Sequence, residues 1–534
     1  MSIMRIGGIA SGMDTDSIVR DLMRVERMKV DRLFQQRQVL DWQKSQFREI
    51  TNKVRSFRDT FFNLSAPATN LMSQAALHKN QAHSSHPEIA AVTAGSTAVL
   101  GESTFQVFQS ATSARAHSSS GVTGGDPLNL SDTMGQVNGK ILGNFEFDME
   151  GKFNLSINGE EIVIHETDSL QQVIRNINNS QAGVQISYSS FSNTFTVTAR
   201  ETGEGYINTD NGGNFFSALN MEAGPEGTVG QAGRNAIFEI NGYRGERSAN
   251  TFTIDGLTYS IHGKIDEPTE IMTISTSVDV EGIYSLIENF VESYNQLIDE
   301  LHGKLREERY RDFPPLTDEQ KEDMRDIDIE RWEEKAQSGL LRREPALENM
   351  LRQLRAALYE SVGSFHLSEI GIETSSNYRD HGKLVIKNGG RDLKEAIANN
   401  PDKVAEIFSR RSDINYSPNL SAEERSQRYS ESGLAHRMND ILNDNIRTTR
   451  DQNGRKGILL EKAGIEGDLT QHNNFFDRSI TDLNKRIDRV NEMLQRKEDQ
   501  YYRQFTAMEK ALQQMYSQSD WLMMQVNQMS ANGR

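Results

Sequence analysis

Four carboxylates, Asp323, Asp326, Asp328 and Glu330, stand close together in the chain, and clustered oxygen ligands are what a hard divalent cation takes. The run has neither the spacing nor the central glycine of a calcium loop, so it reads as a solvated acidic face and no metal is assigned. The 11 histidines form no HExxH pair or other ligand spacing. GxSxG elbows, phosphate-cradling GxxxxGK loops and dinucleotide GxGxxG turns are all absent. There is no cysteine, which removes disulfides, thiolate metal sites and cysteine nucleophiles together. Catalytic residues from distant segments can converge without a motif, so an enzyme stays open but unsupported, and no cofactor is expected; which side chains bury surface, and against what, is the other question.

The first twelve residues raise that question. Ile3, Ile6 and Ile9 are apolar and close together, but Gly7, Gly8 and Gly12 leave the backbone without a preferred shape. Glycine and serine interrupt the apolar run and Asp14 and Asp16 follow at once, so it does not read as a secretory signal. No later stretch approaches the roughly 20 apolar residues of a membrane helix. The formal charge of -17, with no basic stripe, argues against nucleic acid and points to protein partners.

The elements that must position these residues are long helices at both ends. At 534 residues and 36% hydrophobic content the chain is long enough for several domains, each with its own core. None of the 10 prolines lies before Pro67 or after Pro418, so neither end contains a helix breaker. Asp14 is placed to cap a helix running to Leu64, about 75 Å at ~1.5 Å per residue. Leu33, Leu40, Phe47, Val54 and Phe61 recur every seventh position, with Ile50, Phe57 and Leu64 on the companion seam. The other end repeats the pattern through Ile480, Ile487, Leu494, Tyr501, Met508, Met515, Leu522 and Met529. Its companion seam passes Leu483 and Val490, then shifts to Phe505, Leu512 and Val526, a local change of supercoil winding. Two rods of similar length predict an antiparallel coiled-coil pair, the alternative being that each rod pairs with other molecules, and the seam is made imperfect by Gln36, Gln43 and Lys497. Both rods are close to neutral and the acidic load lies between them.

The middle changes period. FNLSINGEEIVIHE alternates through Phe153, Leu155 and Ile157, turns at Asn158-Gly159 and resumes at Ile162 and Ile164, a hairpin. AIFEINGYRGERSANTFTIDGLTYSIHG repeats the opening with a turn at Asn241-Gly242. Two β-rich bodies follow, with linkers expected at Gly121–Gly125 and Gly224–Gly230. Helical periodicity returns at Ile283–Leu301 and around Leu347–Val362, Leu393–Phe408 and Leu434–Ile446. The predicted fold class is α+β multidomain: paired N- and C-terminal coiled-coil helices, a helical domain and two central β-rich head domains. The boundaries are 1–70 for the N-terminal rod, 71–140 with 225–277 for the first head domain and 141–224 for the second. The helical domain takes 278–474, with a mostly superficial acidic insertion at 306–343, and the C-terminal rod takes 475–534.

Several segments also resemble a known family. IGGIASGMDTDSIVRDLM, INGEEIVI with SLQQVIRNINNSQAGVQISY, VESYNQLIDEL, EIGIETSSNYRDHGKLVI, GLAHRMNDIL and YYRQFTAMEKALQQMYSQSDWL are similar, in order, to the flagellar filament cap proteins of the hook-associated protein 2 family. The Phe153–Val197 unit resembles an insertion motif of flagellins. KLVIKNGGRDLKEAI departs from the family by an extra glycine pair, and the acidic insertion is longer than in many relatives.

The resemblance implies a structural capping and assembly factor at the distal tip of the bacterial flagellum, which prevents loss of exported flagellin and promotes its folding and polymerisation. It implies a homo-oligomer, pentameric in the family, secreted through the flagellar type III export apparatus. Flagellin, the hook-filament junction protein and a cytosolic export chaperone are its implied partners, with the Met-rich helix from Phe505 to Met529 expected to meet the chaperone. Cell adhesion by the exposed β bodies is an added expectation. The alternative is a flagellin-like or hook-filament junction structural protein, which would also pair terminal rods around a β centre. The residues expected at filament or subunit interfaces are Ile3, Ile6, Ile9, Ile18, Leu22, Leu33, Leu40, Phe47, Leu494, Tyr501, Phe505, Met508, Leu512, Met515, Leu522 and Val526.

Overall fold

The computed structural model describes residues 12–209 and 214–531. These fall into two units: one combines the chain up to Leu77 with everything from Val280 onward, and the other is His78–Asp279.

The first unit begins with a helix over Thr15–Phe61, whose first turn is closed by the Asp14 carboxylate accepting from the Ser17 N–H at 3.0 Å. It stops three residues before the expected Leu64, which is 83% exposed and joins no seam. The reason is local. The Leu71 N–H donates to the Phe61 carbonyl at 2.9 Å and turns the chain back, while Phe57, Phe61 and Phe62 gather around Phe290 with ring centroids 5.6–6.3 Å apart. The C-terminal helix runs over Phe475–Ala531, 57 residues against 47, so the two rods are not matched in length.

Between them, helices over Val280–Arg306, Pro345–Tyr359 and Leu434–Ile446 surround a core that includes Phe290, Tyr294, Leu354 and Met438. The single helix expected from Leu393 to Phe408 is two, Arg391–Asn399 and Pro401–Ser409, because Pro401 cannot continue the first and instead opens the second. The extra glycine pair precedes this. Gly389 and Gly390 adopt φ of 62° and 87°, and a Cβ on Gly390 would stand 2.5 Å from the Tyr284 ring.

The acidic insertion is less superficial than its composition suggests. Ala336 and Leu341 are buried, and Gln35, Gln43 and Gln46 of the N-terminal helix donate to the carbonyls of Pro315, Leu340 and Gln337. Backbone acceptors along the insertion thus take the amide N–H of Gln43, which interrupts the heptads, and those of its neighbours Gln35 and Gln46, a match that hydropathy does not report.

The second unit has two cores. In one, an antiparallel five-stranded sheet in the order Asn80–Ser84, Met272–Val278, Gly101–Gln109, Ala236–Ile240, Tyr243–Arg247 faces a three-stranded sheet of Thr251–Ile254, Leu257–Ile261 and Ala90–Ala94. Phe105, Phe238, Phe252 and Tyr259 fill the space between, with Phe238 and Phe252 stacked at 4.4 Å. Asn241-Gly242 has the positive φ values (49° and 83°) of a tight hairpin turn, and Asp255-Gly256 makes a second one. The other core lies under a five-stranded sheet in the order Val184–Ser189, Thr194–Thr202, Ser113–His117, Thr228–Gly233, Gly205–Asn208. The Lys152–Ile157 and Glu160–His165 hairpin and the Leu170–Asn179 helix complete it.

The boundary between these cores differs from the sequence reading. Ser113–His117 pairs with Thr194–Thr202 and Thr228–Gly233, so the second core takes in residues from Ala114 through Val229. Gly224–Gly230 is no linker. Gly230 lies against the neighbouring strand so closely that a Cβ would meet the Arg115 carbonyl at 2.2 Å; glycine here permits backbone contact rather than slack.

Candidate assembly interface

Chemistry at this site means burial of apolar surface, and a side chain is free for it only where its own molecule leaves it uncovered. The two long helices pair antiparallel. Val19, Met23 and Val30 of the first close against Ile487 and Leu494 of the second, with Leu33, Val490, Tyr501, Tyr502 and Phe505 partly buried around them. Two ion pairs set the register: Lys497 Nζ donates to Glu26 Oε1 at 2.6 Å, and Lys44 pairs with Asp477. The hydrogen bond from Lys497, and then that from Lys29, holds the Glu26 carboxyl below the usual carboxylate range. Lys497, which looks like a seam defect in the heptads, is therefore a register pin at the coil flank.

Of the expected interface residues, Leu494 is buried in the seam, and Leu33, Tyr501 and Phe505 are partly covered there. Phe47 is also spent within the chain: it is 1% exposed, packs on Phe476 at 5.5 Å and lies beneath Lys462. Ile18, Leu40, Met508 and Leu512 are half-buried. Leu22, Met515, Leu522 and Val526 are open, at 39%, 60%, 55% and 61% exposure. Ile3, Ile6 and Ile9 lie outside the described residues.

The open residues concentrate at the end of the C-terminal helix. From Gln513 to Asn527 every residue is exposed, and Tyr516, Trp521, Met523 and Met524 join the apolar set. A lone helix with this much exposed apolar surface exceeds the scattered exposure normal for a monomer. Heptad reading found the seam positions and passed over Trp521, Met523 and Met524; the signal was the unbroken WLMM run, more apolar than a two-helix seam uses. A smaller patch at Val25 and Met28, 66% and 52% exposed, was missed because both face away from the heptad seam.

Among the described residues, no group of three or more histidine, aspartate or glutamate side chains is placed to hold a metal, and no helix is long and apolar enough to cross a membrane. The buried charged groups belong to packing. Arg428 clasps Asp440 at 2.5 and 2.9 Å, and Arg437, 2% exposed, donates to the Tyr429 and Ser361 carbonyls. His302 stacks on His381 with centroids 4.3 Å apart, and burial first, then His381, pushes its pKa down to about 4.

Comparison with known proteins gives two family matches, the C-terminal part of flagellar hook-associated protein 2 over residues 233–517 and its N-terminal part over residues 11–114. The chain is 29% identical to a flagellar hook-associated protein 2 of Halalkalibacterium halodurans, over 96% of this chain and 98% of that one. It is 27% identical to one of Thermotoga maritima, over 69% of this chain and 54% of the relative. Its fold is similar to the crystal structure of the D1-D2-D3 domains of the flagellar cap protein FliD from Escherichia coli, with a TM-score of 0.52, 18% identity and coverage of 78% of this chain and 98% of that one.

Proposed function

The chain belongs to the flagellar hook-associated protein 2 family, whose members cap the flagellar filament, and from that membership we propose how its open helix end does the capping. The family is structural, its place is the distal tip of the flagellum, and this favours capping over the hook-filament junction alternative. In our reading the paired helices form a stem whose seam from Val19 to Phe505 stays closed, while the apolar end from Met515 to Val526 is covered by neighbouring flagellin or cap subunits. Ile3, Ile6 and Ile9 gain cover from the same neighbours. Each contact is small, a few side chains of about 1.5–3 kcal/mol when fully buried, so an arriving flagellin displaces one at a time. A cap that must advance needs contacts of that strength.

The chain assembles as a homo-oligomer, pentameric by family resemblance, meets the junction protein before filament growth, and leaves the cell through the flagellar type III apparatus. Before export, the methionines at 508, 515, 523 and 524 suit an export chaperone, because flexible thioethers repack on more than one partner. Equal chaperone affinity with and without residues 500–534 would end that part of the reading.

The observation that carries the proposal is the uncovered apolar helix end. Its test is a Met515→Ser, Leu522→Ser, Val526→Ser chain expressed in place of the wild type. The expected result is flagellin shed into the medium and short filaments, with the purified chain keeping its helical circular dichroism. Full-length filaments without shed flagellin would overturn it, as would intact capping by a chain lacking residues 1–13 for the part given to the isoleucines.

A further inference from the structure

Where the acidic insertion meets the stem, a groove of about 530 Å³ is floored by Val39, Leu40 and Leu483 and edged by Arg32, Arg309 and Arg311. Among the described residues none of these arginines has a carboxylate partner within ion-pair distance. Arg309 spends its Nη1 on the Ala336 and Ser338 carbonyls, and burial, then the neighbouring charge of Arg311, lowers its pKa. No carboxylate among the described residues lines the groove; Asp31, next to Arg32 in the chain, interacts with Glu319, and burial first, then Glu319, raises its pKa. The groove is therefore apolar along its floor and positive along its rim, with no carboxylate in its described lining.

The helix that adjoins the groove presents the complement on its outward face. The Asp326–Gln337 helix places Asp326, Glu330 and Glu334 on one face at i, i+4 and i+8, with Ile327 beside them. All four are exposed, Ile327 at 51%, while the opposite face is tied down by Trp332 donating to the Pro314 carbonyl at 2.7 Å. Asp328 is taken by Arg325, Arg331 and Lys335 are the exposed cations flanking the face, and the Lys335 ammonium lies over the Phe313 ring. The acidic face lies open to solvent, so it does not fill the groove of its own molecule.

Resting on the homo-oligomeric reading above, we propose that the acidic face of the Asp326–Gln337 helix in one copy docks in the arginine-rimmed groove of the next, Ile327 on the Val39–Leu40–Leu483 floor and its carboxylates against Arg32 and Arg311. Charge complementarity chooses the occupant: in a chain with a net charge of -17 this groove rim is positive, and the outward face of the helix that adjoins it is acidic with one exposed apolar side chain. A contact between unlike surfaces is heterologous, so it propagates head to tail and closes into a ring when the rotation per step closes. A groove this small makes each contact weak, which suits a ring assembled only after export.

The absence of cysteine makes the test direct, because introduced thiols are the only ones present. The full-length chain carrying Gln36→Cys on the groove lip and Ile327→Cys on the helix is purified and oxidised across a concentration range. The expected result is a ladder of dimers, trimers and higher species, with single-cysteine chains stopping at dimers. Adding Arg32→Glu and Arg311→Glu abolishes the ladder, and so does adding Asp326→Lys and Glu330→Lys; mixing the two charge-reversed chains restores it, since each groove then meets a helix of opposite sign. No ladder, or a ladder indifferent to both reversals, overturns the proposal, as does crosslinking of the groove to flagellin in preference to a second copy. A failed ladder from a chain whose cysteine-free parent still prevents flagellin loss refutes this contact and leaves the capping reading standing. A charge-dependent ladder from a chain that fails to cap refutes the capping reading and leaves the contact.

Discussion

Replacing Leu494 by alanine removes three methyl-type carbons from the centre of the stem seam, where the side chain is 6% exposed. At ~0.8 kcal/mol per buried carbon the transfer loss alone is about 2.4 kcal/mol, and large-to-small core changes run about 2–5 kcal/mol. A two-helix seam is open at its sides, so the void fills and the loss stays near the low end, about 2 kcal/mol. The stem has its own small core, whereas the helical domain is held by the separate aromatic cluster around Phe290, so the loss appears as local opening rather than global unfolding. Hydrogen exchange of amides in 19–33 and 487–505 reads it: about 2 kcal/mol is a roughly 30-fold fall in protection. Leu522→Ala is the paired control; at 55% exposure it changes protection of those amides by less than about 0.5 kcal/mol. Unchanged protection in Leu494→Ala, or equal loss in both variants, refutes the division of the apolar residues into a closed seam and an open end.

Acid weakens the helical domain before it titrates most carboxylates. Burial is the leading cause in holding both His302 and His436 at about 4, below the ordinary 6.5, so the unfolded chain takes up these protons first; stability is flat above about pH 6.5 and falls as pH drops from 6.5 to 4. Thermal melts across that window check it, and His302→Gln with His436→Gln flattens the slope. Gly390→Ala forces a Cβ into the Tyr284 ring at a left-handed position and costs at least about 1–3 kcal/mol, read as a lower urea midpoint for the helical domain.

Much of this architecture was legible because it rests on local rules. Asp14 capping the first helix, the alternation around Asn158-Gly159 and Asn241-Gly242, and the heptads from Leu33 to Phe47 each follow from a backbone preference or a period within a few residues. What escaped depended on partners distant in sequence. Gly224–Gly230 has the composition of a linker, yet Gly230 serves the close approach of a strand more than a hundred residues upstream. Gln43 looks like a seam defect until the insertion supplies the Leu340 carbonyl as its acceptor. Heptad spacing gave Phe47, Leu494 and Leu522 equal standing as interface candidates, because a periodic pattern marks a face and does not say which molecule covers it. Burial separates them: Phe47 and Leu494 are used within the chain, and Leu522 is open.

The most direct test images the filament end. Cells expressing the chain with Leu522→Asp and Val526→Asp are labelled with antibody against the β-rich unit and viewed by electron microscopy beside wild type. The account predicts label at the distal tip of wild-type filaments, and for the variant, bare tips with folded protein recovered from the medium. Variant chains retained at the tips of full-length filaments would contradict it.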